Sequence, residues 1–119
     1  PSWLGFEAED LIATIDLGSV EKINFVETRF LQSQVFWIFL PKKIQIEHSL
    51  DGENFHLLYE ANPNNDYSFE QKIFKYNIKP SNIESRFIRL KATNLNKCPE
   101  YHPGSGGKSW LFTDEIVIN

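Results

Sequence analysis

The sequence predicts an all-β domain built as an antiparallel β-sandwich or barrel, and three observations carry that prediction. Apolar residues recur with a period of two in several short segments, most cleanly in residues 43–49 and 86–95. Turn chemistry separates those segments, with Asp51-Gly52, Pro63 among three asparagines, and Pro80 as the clearest breaks. No segment carries a helical period, and no internal repeat is present. A chain of 119 residues without a long linker is most simply one domain, 1–119, able to bury roughly two thirds of its unfolded surface.

Taken in order, residues 1–10 read as a loop in which Trp3 and Phe6 flank Gly5 and the acidic Glu7, Glu9 and Asp10 follow. Leu11, Ala13, Ile15 and Leu17 then alternate with Ile12, Thr14 and Asp16, which predicts a first strand ending at Gly18. Residues 22–31 predict a long second strand, where the slip between Phe25 and Val26 implies a bulge. A polar break at 32–34 precedes the apolar cluster 35–40, in which Trp37 is expected to be a core residue, and Pro41 ends that cluster. Ile44 and Ile46 face away from Gln45 and Glu47 in the next strand, and residues 55–59 return from the Asp51-Gly52 turn as its hairpin partner. Residues 62–66 are a loop, 69–78 a strand stopped by Pro80, and 81–85 a connection. Ile88, Leu90 and Ala92 share one face of the strand 86–95, and residues 111–118 close the fold as a core strand rich in β-branched side chains. About seven short strands with such turns select the sandwich or barrel class.

Composition excludes several functions. A net charge of −4 with interspersed signs offers no basic face for phosphate and reads as a solvated surface. The lone Cys98 closes no intramolecular disulfide and builds no multi-thiolate zinc site. The longest apolar run, 35–40, falls far short of the ~20 residues of a membrane span, and the chain opens on no signal peptide, so the signal of an exported parent would lie outside it. A strand places neighbouring side chains on opposite faces, so Asp114 and Glu115 are not expected to converge as a hydrolytic acid/base pair. With no nucleophile motif either, the chain is expected not to be an enzyme. His48 and His56 flank the Asp51-Gly52 turn without a third ligand at zinc spacing, and read as surface or hydrogen-bonded residues.

The chemically unusual stretch is the loop 101–110. Sugar recognition needs an aromatic face for the C–H patches of a pyranose, flanked by polar groups aimed at its hydroxyls. Tyr101, His102, Lys108 and Trp110 supply both, and Gly104, Gly106 and Gly107 allow close backbone approach. Trp110 also reads as a plug at the end of the sandwich.

The order of the motifs ATIDLG (13–18), IQIEHSLDGENF (44–55), RFIRL (86–90) and DEI (114–116) resembles the discoidin, or coagulation factor V/VIII type C, family. FLQSQVFWIFLP and YHPGSGGKSWLFTDEIVI are similar to the domain at the C-terminus of bacterial family 20 glycoside hydrolases, the β-N-acetylhexosaminidases or chitobiases of gut Bacteroidetes. The resemblance implies a jelly-roll sandwich related to family 32 carbohydrate-binding modules, whose end loops recognise sugars in some members and phospholipid or protein in others. The expected role is a non-catalytic carbohydrate-binding accessory module of an exported, periplasmic or cell-surface β-hexosaminidase. Its expected partners are an N-acetylhexosamine- or galactose-containing glycan and the catalytic domain of the same polypeptide; the alternative is a purely structural domain packed on that catalytic domain. The resemblance also puts Arg29, Gln32 and Gln34 on the ligand face beside the 101–110 loop, with ordinary solvent exposure as the competing reading. Family members begin earlier, with a calcium-binding loop ahead of a Trp that corresponds to Trp3, so this chain is expected to lack that segment. Glu115 falls where the family has a calcium-ligand glutamate. Calcium takes roughly six to eight oxygens, and the other donors are missing, so Glu115 is expected to be a remnant and no cofactor is expected.

Overall fold

The computed structural model describes residues 3–119, in which nine strands and one short 3-10 turn are arranged as a jelly-roll sandwich of two antiparallel sheets. In chain order the strands are β1 (Leu4–Glu7), β2 (Leu11–Lys22), β3 (Val26–Gln32), β4 (Lys43–Ser49), β5 (His56–Ala61), β6 (Lys72–Ile78), β7 (Glu84–Thr93), β8 (Trp110–Thr113) and β9 (Val117–Ile118). One sheet runs β1-β8-β3-β6, with β9 also paired to β3, and the other runs β2-β7-β4-β5. No helix among the described residues is long and apolar enough to cross a membrane.

The period-two pattern decides which side chains meet between the sheets. Val26 and Phe30 of β3 face Ile44 and Ile46 of β4 and Ile88, Leu90 and Ala92 of β7 in one cluster, joined by Leu111 of β8. Each of these side chains is essentially inaccessible to water, and burial of one such large apolar group contributes about 1.5–3 kcal/mol. The hydrogen bonds of the Asp51-Gly52 turn explain why the sequence S-L-D-G-E-N-F closes a hairpin. Ser49 Oγ accepts the Asp51 and Gly52 N–H groups, and Asp51 Oδ1 accepts those of Glu53 and Asn54 at 2.9 and 2.8 Å. Phe55 then lies under the Arg89 guanidinium, 3.7 Å from its ring centroid, while Arg89 also binds Glu47 at 2.8 Å.

Four sequence expectations are corrected here. Residues 4–7, read as loop, form the edge strand β1 against β8, where a Cβ on Gly5 would stand 2.6 Å from the Phe112 ring. The first strand continues past Gly18 to Lys22 through a register shift, with Asp16 Oδ1 accepting the Gly18 N–H at 2.8 Å. The strand expected over 22–31 is interrupted rather than bulged: Ile23–Phe25 stand outside it, and Phe25 exchanges backbone hydrogen bonds of 2.9 and 3.1 Å with Asn119. The closing strand is likewise split, because between β8 and β9 Asp114 leaves the strand path to pair with Arg29 on the outer face of β3. Residues 1 and 2, part of the stretch read as loop, lie outside the described residues.

Candidate functional site

Three loops meet at the end of the sandwich where β3 finishes and β6 begins. The first is a small projection closed by Ser33 and Ile38, whose backbones exchange bonds of 3.0 and 3.1 Å. At its tip Trp37 takes a left-handed conformation (φ 64°), and Val35, Phe36 and Trp37 are all exposed. That conformation is the physical reason Trp37 leaves the core position expected of it: the backbone reverses there and carries the indole to the surface. The indole rests on the second loop, where Cβ atoms on Gly104 or Gly107 would stand 2.6 and 2.7 Å from its ring atoms. Those glycines therefore serve close packing of protein on protein. The third loop, 65–69, is fixed by Asn65, whose side-chain amide pairs with both the N–H and C=O of Leu40 at 2.7 and 3.2 Å.

Gln34 ties the three together. Its Nε2 donates to Asp66 O at 2.7 Å, its Oε1 accepts the Tyr101 hydroxyl at 2.6 Å, and its backbone oxygen accepts from His102 Nε2 at 2.7 Å. Gln32 Nε2 adds a bond of 2.8 Å to Asp66 Oδ1. Gln32 and Gln34 are thus fully buried supports, which corrects their expected place on a ligand-contacting face or in solvent. An unpaired buried amide is costly; Gln34 finds partners for both of its amide atoms on loops far along the chain, whereas Gln32 pairs only through Nε2 and its Oε1 is left without one. His102 is buried as well. Its Nδ1 accepts the Gly104 N–H at 2.9 Å, so Nε2 bears the proton given to Gln34. Burial raises the Tyr101 phenol above its ordinary pKa, which keeps it a donor at neutral pH.

What faces water is an aromatic surface around the His102 ring. Phe69 stacks on that imidazole at 5.6 Å and 20°, Trp37 meets its edge at 6.0 Å, and Tyr67 meets Tyr101 edge-on at 4.6 Å. Tyr67 is 77% exposed and Phe36 68%, so these rings project rather than line a cleft. The larger recesses lie elsewhere, including one of about 450 Å³ bounded by Leu17, Glu21, Lys22, Ile23, Ile118 and Asn119. At the edge of the aromatic face the Asp66 carboxylate holds the Lys72 ammonium at 2.7 Å. Together the rings and this ion pair form a surface able to stack on apolar faces and to exchange hydrogen bonds with hydroxyls.

Lys72, Gln32 and the Ser68 N–H hold the Asp66 carboxyl down at about 2, against an ordinary 3.8. A depressed carboxyl stabilises the folded state fully above the ordinary value, and that contribution is lost as pH falls through about 2. Asp66→Asn is expected to flatten this part of the acid-unfolding curve, followed by tryptophan fluorescence; an unchanged curve contradicts the assignment.

The remaining sequence candidates fall outside this cluster. Arg29 lies on the outer face of β3, where it pairs with the buried Asp114 carboxylate and stands over the Trp3 ring at 5.8 Å. The hydrogen bond to Asp114 raises the already high pKa of Arg29, so the guanidinium stays charged. Lys108 is exposed at the far shoulder of the loop, in a bridge with Lys97. Trp110 is half-buried in β8 and leans on Phe112 at 5.8 Å, on the outer side of a sheet whose inner residues are Leu111 and Thr113; it plugs no end of the sandwich. Glu115 is exposed beside the buried Asp114, and because residues 114–116 lie between strands rather than in one, strand alternation does not separate them: both border a recess of about 190 Å³ with Glu27 and Arg29. Among the described residues no three His, Cys, Asp or Glu side chains converge to hold a metal ion. The sequence reading missed Phe36, Asp66, Tyr67 and Phe69. Asp-Tyr-Ser-Phe directly after an Asn-rich turn was the available signal, since aromatics seldom sit in a plain polar loop.

A family model described as F5/8 type C domain matches residues 2–111. Among solved structures, the chain is similar to CpGH89CBM32-5 from Clostridium perfringens in complex with GalNAc-β-1,3-galactose, with 20% identity, a TM-score of 0.57, and coverage of 98% of this chain and 74% of the other. It also matches the C-terminal domain of a chitobiase from Bacteroides fragilis at 15% identity and a TM-score of 0.48, covering 93% of this chain and 66% of that one. A third match is CBM32-3 from a family 31 glycoside hydrolase of Clostridium perfringens, at 16% identity and a TM-score of 0.48, covering 96% of this chain and 72% of that one. A search of curated protein sequences finds no match.

Proposed function

This chain belongs to the F5/8 type C domain family, and from that premise we propose that it is a non-catalytic carbohydrate-binding module of an exported bacterial glycoside hydrolase. The observation that carries this reading is the solvent-facing group of Trp37, Tyr67, Phe69 and Tyr101 with the Asp66–Lys72 pair at its edge. Aromatic rings match the C–H face of a pyranose, and the ion pair offers an acceptor and a donor to ring hydroxyls. The similarity to a module solved with GalNAc-β-1,3-galactose supports N-acetylhexosamine- or galactose-containing glycans as the ligand class. The finer reading, a β-N-acetylhexosaminidase parent whose catalytic domain shares the polypeptide, rests on the sequence resemblance. An open platform gives few contacts to offset desolvation and ordering, so affinity falls in the micromolar to millimolar range.

A second reading has its own observation. Val35 and Phe36 expose an apolar edge, which suits packing against the catalytic domain of the same polypeptide. Calorimetric titration with a panel of N-acetylhexosamine- and galactose-containing oligosaccharides separates the two. Saturable binding by the panel, lost on Tyr67→Ala, is expected. Silence across the panel, with binding of a separately produced catalytic domain, overturns the carbohydrate reading in favour of the structural one.

A further inference from the structure

At the opposite end of the sandwich, the β4–β5 hairpin sets two histidines directly across from each other: His48 pairs in register with His56, and their ring centroids lie 5.8 Å apart. The hydrogen bonds around His48 fix its tautomer. The Ser85 hydroxyl spends its proton on the Ser49 carbonyl at 2.9 Å, so the 3.2 Å contact between Ser85 Oγ and His48 Nδ1 requires the imidazole to donate. The proton therefore sits on Nδ1, and Nε2 is left with a bare lone pair. A ring held through one nitrogen with the other nitrogen free is the arrangement in which imidazole ligates metals. Ser85 is fully buried, so the anchor is rigid.

We propose that His48 and His56 form a two-imidazole chelate for a late first-row divalent metal ion, Cu²⁺, Ni²⁺ or Zn²⁺. An imidazole nitrogen holds such an ion at about 2 Å, so an ion on Nε2 of the anchored His48 is within reach of the exposed His56 ring by rotation of that side chain. The pair borders a recess of about 180 Å³ that Leu50, Asp51, Asn54 and Glu84 also line. The Asp51 carboxylate is committed to Ser49, Glu53 and Asn54. Among the described residues no third His, Cys, Asp or Glu converges on the pair, so water completes the coordination. The site is independent of the aromatic face, which lies at the other end of β4 and β5, and its occupation would staple the hairpin.

The test is titration of the intact domain with CuCl₂, NiCl₂, ZnCl₂, MnCl₂ and CaCl₂, read by histidine ring ¹⁵N shifts and by thermal unfolding. Cu²⁺ is expected to bind most tightly, Mn²⁺ weakly, and Ca²⁺, which selects oxygen donors, not at all. The His48 Nε2 and His56 ring resonances move together, while those of the buried His102 stay fixed. His48→Ala and His56→Ala each remove the chelate, and Ser85→Ala weakens binding by about 10- to 100-fold through loss of the anchor. Should Ser85→Ala unfold, the ¹⁵N shifts of the unsubstituted domain still report the tautomer: a protonated His48 Nε2 overturns the proposal. So does undiminished metal binding by either single-histidine variant, or the absence of any histidine shift with Cu²⁺ and Zn²⁺.

Discussion

Replacing His102 with alanine is expected to lower stability by about 3 kcal/mol, through a cavity and two lost hydrogen bonds, and to abolish ligand binding. The ring is only 3% exposed and lies against Phe39 at 5.1 Å, Phe69 at 5.6 Å and Trp37 at 6.0 Å. Its two nitrogens bridge the backbones of Gly104 and Gln34, so its loss leaves the Gly104 N–H without its acceptor, leaves the Gln34 carbonyl with the Trp37 N–H as its remaining donor, and loosens the 98–107 loop from the Ser33–Ile38 projection. Urea unfolding measures the effect: the midpoint falls while the slope is retained, because the exposed surface on unfolding is unchanged. A loss under about 0.5 kcal/mol, the size of an ordinary surface substitution, contradicts the role of His102 as the centre of the site.

Trp37→Ala is the complementary case, with a large effect on binding and a small one on stability. The indole is 40% exposed and belongs to no core cluster, yet it forms one side of the aromatic face. An exposed aromatic anchor at the centre of a contact is worth about 2 kcal/mol, close to a 30-fold change in affinity. Gly104→Ala provides an independent check, because its Cβ would stand 2.6 Å from the indole and must push the ring off its seat without removing it. Both variants are expected to weaken oligosaccharide binding in calorimetry while unfolding within about 1 kcal/mol of the unsubstituted domain. Unchanged affinity in both removes Trp37 from the binding face.

The strands that face the core on one side were legible because burial imposes a period of two, as in Ile44–Ile46 and Ile88–Leu90–Ala92. β1 was not legible, since an edge strand with Leu4 and Glu7 exposed has no inward apolar row to display. The positions of Gln32, Gln34 and His102 depend on partners 34, 32 and 68 residues away, and no local pattern encodes such hydrogen bonds. Trp37 was misplaced for a local reason: an apolar run looks the same whether the chain passes straight through it or reverses at a left-handed residue. Tyr101 alone among the sequence candidates both faces solvent and touches the aromatic cluster.

The most direct test of the binding face is a two-dimensional ¹H–¹⁵N NMR titration with a GalNAc- or galactose-terminated oligosaccharide at concentrations on the order of millimolar. Perturbations are expected at the Trp37 indole N–H and at the amides of Phe36, Tyr67, Phe69, Tyr101 and Gly104, with the β4–β5 turn at Asp51-Gly52 unmoved. Shifts confined to that turn or to the outer face around Arg29 and Trp110, with the aromatic face silent, contradict it.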